Sequence, residues 1–143
     1  MNPASGGELR VVLDTNVYIS AFAHPERPIY QVWRHALERR YQLLISSAIV
    51  NELADVLRTD FHWEERRLRR RIRLVTRVGT IITPCIALNV IPDDPDDDRI
   101  LECAVAGRAN LIVSGDHHLR RLQVYEGIPI IRPIDFLRTL GVR

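Results

Sequence analysis

The stretch Arg10-Val11-Val12-Leu13-Asp14-Thr15-Asn16-Val17 decides how the rest of the chain is read. Three consecutive aliphatic residues read as a short strand buried on both faces, as in a parallel sheet. The run ends at Asp14, a residue depleted in strands, and Asn16 follows two positions later. In an open α/β sheet the carboxyl end of a strand opens into the crevice where ligands bind. Asp and Asn also favour turns, so this stretch alone divides about evenly between a turn and a functional carboxylate. Later segments decide between them.

A length of 143 residues suggests one domain, spanning 1–143 with a flexible start at 1–8. Such a chain buries roughly 68–70% of its unfolded surface and should fold without disulfides. Cys85 and Cys103 form no C-x-x-C pair and no zinc spacing, and read as small core residues in a reducing compartment. Met1 to Gly7 is polar, and no apolar run approaches the roughly 20 residues that cross a bilayer. A soluble cytoplasmic protein with no membrane partner is expected. The net charge of +2 says little, but all 20 basic residues are arginine. Chemistry that needs a catalytic lysine is excluded.

Outward from the first strand, Val17 to Phe22 fits a helical turn, broken by His24-Pro25-Glu26-Arg27-Pro28. Ile29, Val32, Trp33, Ala36 and Leu37 make one helical stripe. Leu43-Leu44-Ile45 is a second strand, closed by Ser46-Ser47, either of which can cap the next helix. In that helix Ile49, Val50, Leu53, Val56 and Leu57 face inward, and Glu52 lies on the flank of the stripe. A glutamate there either snorkels to solvent or points into the crevice of Asp14. Asp60 to Val78 reads as a longer helix, with Leu68, Ile72, Val75 and Val78 inward. Arg66, Arg69, Arg70 and Arg73 stand among six arginines on its other faces, as either a solvated basic face or a surface for RNA or an acidic partner. Thr80-Ile81-Ile82 is a third strand.

The run Pro92-Asp93-Asp94-Pro95-Asp96-Asp97-Asp98 opens a helix carrying Ile100, Leu101, Ala104 and Val105. An N-cap and the helix dipole account for one or two of its five aspartates, worth about 1 kcal/mol for the cap. The others repel one another, which a bound cation would relieve. Leu111-Ile112-Val113 is a fourth strand ending in Ser114-Gly115-Asp116, repeating the Asp14 arrangement. His117 and His118 are adjacent and read as surface residues rather than a zinc site. Ile128 to Ile131 is a last strand, where Pro129 suggests a sheet edge, and Ile134 to Leu140 a closing helix.

Alternating strands and helices predict an α/β protein, a three-layer α/β/α sandwich around a central parallel sheet of about five strands. Asp14, Glu52, Asp98 and Asp116 then fall near strand ends or helix starts on one side. Four oxygen acids select a hard cation, Mg²⁺ or Mn²⁺, over zinc, and suit phosphodiester hydrolysis. Asp14 and Asp116 are the expected direct ligands.

Four blocks in this order and spacing resemble the PIN-domain family. They are Leu13-Asp14-Thr15-Asn16-Val17, Ser47 through Glu52-Leu53, Asp94-Pro95-Asp96-Asp97-Asp98 with Ala104, and Val113-Ser114-Gly115-Asp116. The third and fourth look most like the subgroup of toxin components of toxin–antitoxin systems. The resemblance implies a Mg²⁺- or Mn²⁺-dependent ribonuclease, often a homodimer and often held inactive by an antitoxin protein. It carries the acidic positions onto Asp14, Glu52, Asp98 and Asp116, with Asn16 and Ser114 supporting. Asp97 could share or exchange the role of Asp98; the phase of Ile100, Leu101 and Ala104 is taken to favour Asp98. Glu102, one turn on, could extend the site or reach solvent. Haloacid dehalogenase and receiver-domain readings both want a lysine that the chain lacks. The alternative of another class is a non-catalytic module that keeps the scaffold to bind RNA or a protein.

Overall fold

A computed structural model describes residues 8–91 and 94–141. The expected flexible start therefore lies, apart from Glu8, outside the described residues, as does Asp93 of the acidic run. The elements follow in the order β1 (Arg10–Leu13), α1 (Thr15–Ala23), α2 (Tyr30–Leu37), β2 (Gln42–Ser46), α3 (Ser47–Thr59), α4 (Glu65–Val78) and β3 (Thr80–Ile82). Then come α5 (Pro95–Ala106), β4 (Leu111–Val113), α6 (His117–Arg120), β5 (Val124–Tyr125), β6 (Ile128–Ile131) and α7 (Pro133–Thr139).

The strands form one sheet in the order β3-β2-β1-β4-β6-β5, flanked by helices. All five expected strands pair in parallel, with Val11 beside Leu43 on one side of β1 and beside Leu111 on the other. Val12, Leu44 and Ile112 are fully buried, as expected of strands covered on both faces. One strand was not anticipated. The two-residue β5 pairs antiparallel with β6, so Pro129 does not lie on the outermost strand. Successive strands leave β1 toward β2 on one side and β4 on the other. The gap between the ends of β1 and β4 is thus the switch point of the sheet, where α/β folds bind ligands.

The helix start that departs furthest from expectation is that of α4, and the one-turn helix α6 was not anticipated. The segment expected as a helix from Asp60 begins instead at Glu65. His62 takes φ 54°, outside the helical region. Trp63 donates its backbone N–H to Leu57 O and packs 6.4 Å from the Phe22 ring. Burial of that indole outweighs continuation of the helical phase. Ser46 caps α3 by accepting from Ile49 N–H. Cys103 is buried as expected, but Cys85 is exposed, on the segment between β3 and α5. Among the described residues no helix is long and apolar enough to cross a membrane.

The sheet is clamped to α5 through Gly107, which caps its carboxyl end. The Arg10 guanidinium donates to Gly107 O from Nε at 3.0 Å and from Nη2 at 2.7 Å, and also reaches Gln42 Oε1. A methyl group at Gly107 would lie 2.9 Å from Leu44 Cδ1 and 3.0 Å from Cys103 O, and both neighbours are buried. Gly107→Ala is therefore expected to destabilise the fold by about 1–3 kcal/mol through overpacking. Urea unfolding would show this as a lower midpoint, and an unchanged midpoint would show that the helix end can move away.

Candidate active site

The site grows from backbone that the sheet already fixes. Asp14 N–H donates to Val113 O at 2.9 Å, which extends the β1–β4 ladder by one residue and sets the first carboxylate at the switch point. Ser114 continues β4 and is fully buried. Its hydroxyl donates to Asp14 Oδ2 at 2.8 Å and accepts the backbone N–H of Asp116 at 2.9 Å. One side chain thus ties the first acid to the backbone of the last. Asp116 also caps α6, accepting from His118 N–H at 2.7 Å.

The third acid comes from α5. Asp94 caps this helix by accepting from Asp96 N–H, and Pro95 occupies its first position. Asp97 follows on the buried face and is 4% exposed. Donor oxygens of Asp14, Asp97 and Asp116 lie within 4.8 Å of one another. Asp97 Oδ2 is buried and has no hydrogen-bond partner.

The electrostatics follow from that geometry. Burial, then the charges of Asp116 and Asp14, push the Asp97 carboxyl up to about 8 from 3.8. Burial raises Asp14 to about 6, against the Ser114 hydroxyl and the backbone N–H groups of Asn16 and Thr15, which favour the charged form. Glu52 stands outside the three-acid group and is half-buried. Thr15 Oγ1 donates to its Oε1, while burial and the neighbouring Asp96 and Asp14 raise it to about 7. Buried carboxylates this close without a counter-charge favour protonation or a cation.

The structure places the two neighbouring acids of α5 in different surroundings. Asp98 is 2% exposed but points away from the group: its Oδ1 accepts from Val90 N–H at 2.8 Å and Ile91 N–H at 2.9 Å. Glu102 does not extend the site either, since it accepts from Leu88 N–H and pairs with Arg99 at 2.8 Å. Asp98 and Glu102, four apart, form the face of α5 that ties down the segment before it. Asp97 is one residue and about 100° away, on the site side. Asn16 is exposed and contributes its backbone N–H rather than its side chain. Asp96, beside Glu52, was not singled out by sequence, although it belongs to the same acidic run.

His117 is exposed as expected, whereas His118 is half-buried, with the two rings 4.1 Å apart. Their donor atoms and that of Asp116 also fall within 4.8 Å, but the Arg121 guanidinium lies 3.2 Å from His118 Nδ1. A cationic side chain already faces that imidazole.

The chain matches the PIN domain family over residues 10–118. It is 29% identical over 121 residues to the uncharacterized protein MJ1680 of Methanocaldococcus jannaschii, covering 81% of this chain and 76% of that one. Its fold is similar to PAE2754 from Pyrobaculum aerophilum, with TM-score 0.62 and 15% identity over 94% of this chain and 90% of that one. It is similar also to VapBC2 from Rickettsia felis, solved bound to a DNA fragment from their promoter. There the TM-score is 0.61 and the identity 14%, over 87% of this chain and 98% of that one. The family match spans every acid of the candidate site, and the chain belongs to the PIN domain family.

Proposed function

We propose that this protein is a Mg²⁺- or Mn²⁺-dependent endoribonuclease and the toxin of a toxin–antitoxin pair. The observation that carries the proposal is the close approach of donor oxygens of Asp14, Asp97 and Asp116, with the buried Oδ2 of Asp97 left without a hydrogen-bond partner. A group of hard oxygen donors with no thiolate fits Mg²⁺ or Mn²⁺. Asp14, Asp97 and Asp116 would hold the ion, with Asp98 in the structural role described above. When bound there, such a cation neutralises charge on the phosphoryl oxygens and lowers the pKa of water, which is what phosphodiester hydrolysis requires.

The chain's own residues prepare the rest. Ser114 fixes the Asp14 carboxylate and the turn that carries Asp116, so two donors are held before any ion arrives. Thr15 holds one oxygen of Glu52, whose carboxyl is raised in the metal-free protein by burial and the neighbouring acids. Family membership supports the nuclease reading, and the likeness in fold to VapBC2 supports the toxin reading. In this reading the protein works in the cytoplasm, with RNA as substrate, an antitoxin protein as inhibitor and a second copy of the chain as dimer partner.

Incubation with total cellular RNA is expected to give cleavage in Mn²⁺ or Mg²⁺ and none in EDTA. Asp14→Asn and Asp97→Asn should each lower the rate by at least about 100-fold, the upper end of what merely supporting residues contribute. Full activity in either variant would refute the site.

Stability separates the two neighbouring aspartates. Asp97→Asn removes a charge from the cluster, so it should raise the melting temperature of the metal-free protein at pH 8.5 and abolish stabilisation by Mn²⁺. Asp98→Ala leaves two backbone N–H groups unpaired and should lower stability by about 1–3 kcal/mol with or without metal. The opposite pattern would return the metal-binding role to Asp98.

The raised pKa values also predict a pH dependence. Asp14, Glu52 and Asp97 keep protons in the folded state at pH values where the unfolded chain releases them. Their contribution to stability is full below about pH 4 and is lost as the pH rises through 6, 7 and 8. In EDTA the protein should melt lower at pH 8.5 than at pH 5.5, and saturating Mn²⁺ should remove most of that difference. A melting temperature in EDTA that rises over this range would contradict the electrostatic account.

A further inference from the structure

The long helix α4 divides its arginines among three tasks. Arg67 lies over the Trp63 ring at 3.7 Å and Arg71 over Phe22 at 4.4 Å, so both serve packing. Arg69 lies 4.0 Å from Glu65, which is itself held by Arg58 at 3.1 Å. Arg66, Arg70, Arg73 and Arg77 remain, all exposed and spaced i, i+4, i+7 and i+11. At about 100° per residue they form one stripe, opposite the buried Leu68 and Val75. The stripe differs from the surface expected from sequence by replacing Arg69 with Arg77.

Elsewhere some surface arginines meet carboxylates, Arg34 with Glu38 at 3.2 Å and Arg132 with Asp135 at 2.9 Å, while Arg39 and Arg40 donate to the backbone carbonyls of Val78 and Leu140. Along the stripe no carboxylate among the described residues lies within 4.0 Å, and Glu65 is the only acid in α4. Like charges at these spacings repel. An ordinary solvated helix face would intersperse acids, as the chain does with Asp135 in α7, between Arg132 and Arg138.

We propose that this stripe is an RNA-binding surface separate from the acid cluster, on which the four guanidinium groups grip the phosphate backbone of a single strand. The choice of RNA rests on the ribonuclease reading. The form of the stripe sets the ligand class. Residues 66 to 77 extend over about 16 Å, which suits an extended polyanion rather than one phosphate group. Arginine's planar fork matches phosphate oxygens in pairs. Arg70, Arg73 and Arg77 also border a shallow cleft of about 230 Å³ with Leu74. A protein interface builds on an apolar core, and no large apolar side chain of α4 is exposed. That favours a phosphodiester chain over an acidic protein.

The test measures binding of a labelled single-stranded 20-nucleotide RNA by fluorescence anisotropy, in EDTA, across a salt series. It compares the intact protein, Asp14→Asn, and a variant combining Arg66→Gln, Arg70→Gln, Arg73→Gln and Arg77→Gln; glutamine keeps helix propensity. The combined variant should bind more weakly, and its logarithmic salt slope should fall by about 0.7 per arginine removed. Asp14→Asn should keep the slope of the intact protein. Cleavage is not read, so failure here is distinct from failure of the ribonuclease reading. An unchanged slope in the combined variant overturns the proposal. So does loss of binding to polyglutamate with RNA binding intact, which would assign the stripe to an acidic protein. Tighter binding of single-stranded DNA than of the same RNA sequence would overturn RNA as the occupant.

Discussion

The buried hydroxyl of Ser114, donating to Asp14 and accepting from the backbone of Asp116, is the constraint around which the candidate site is assembled. It works because β1 and β4 are neighbours in register, with Leu13 beside Val113, so the residues just beyond them emerge side by side. The first carboxylate is thereby fixed by sheet geometry, and the second by a turn that the Ser114 hydroxyl pins to it. Precision of this kind is what a preorganised site requires. The same arrangement creates the electrostatic problem at the site, because it holds the two acids close together.

Helix α5 adds the third acid and resolves the role of an otherwise puzzling run of aspartates. Asp94 caps the helix, Asp96 faces Glu52, Asp97 enters the cluster and Asp98 holds Val90 and Ile91. Adjacent residues on a helix point about 100° apart, so the three consecutive aspartates after the cap and Pro95 can serve separate purposes. The grip of Asp98 and Glu102 on the segment before α5 also matters to Asp97. It fixes where the helix begins, and with it the depth at which the third carboxylate sits. Asp98 therefore bears on the site without facing it.

The five parallel strands were legible because they leave short aliphatic runs, and Asp14 and Asp116 because each follows such a run. The two-residue β5 leaves no such run. Trp63 concealed the start of α4, since its burial depends on Phe22, a residue distant in sequence. The different surroundings of Asp97 and Asp98 were partly within reach of the sequence. Ile100, Leu101 and Ala104 lie three, four and seven residues after Asp97, which puts Asp97 in line with the buried stripe. Asp98 is in phase with Leu101, Glu102 and Val105, a face that turns toward the preceding segment. What the sequence could not supply was that segment's need for an acceptor. Residues 88, 90 and 91 have no ladder partner, and their backbone N–H groups draw Asp98 and Glu102 away from the crevice.

A carboxylate cluster that acts on a polyanion faces a second difficulty, because enzyme and substrate repel each other. In the proposed reading a divalent cation answers this only locally, and its field is screened within about 8–10 Å at physiological ionic strength. Attraction over the rest of the substrate has to come from fixed positive charge outside the crevice. The nearly neutral net charge of +2 shows that the chain does not provide it globally. Four arginines with no carboxylate within 4.0 Å among the described residues are instead aligned along one face of α4. Segregating charge in this way lets a strand be held by its backbone at one surface and meet acids at another. It also explains why net charge was a poor guide to partners: the informative quantity was the placement of acids relative to arginines, which only the folded chain displays.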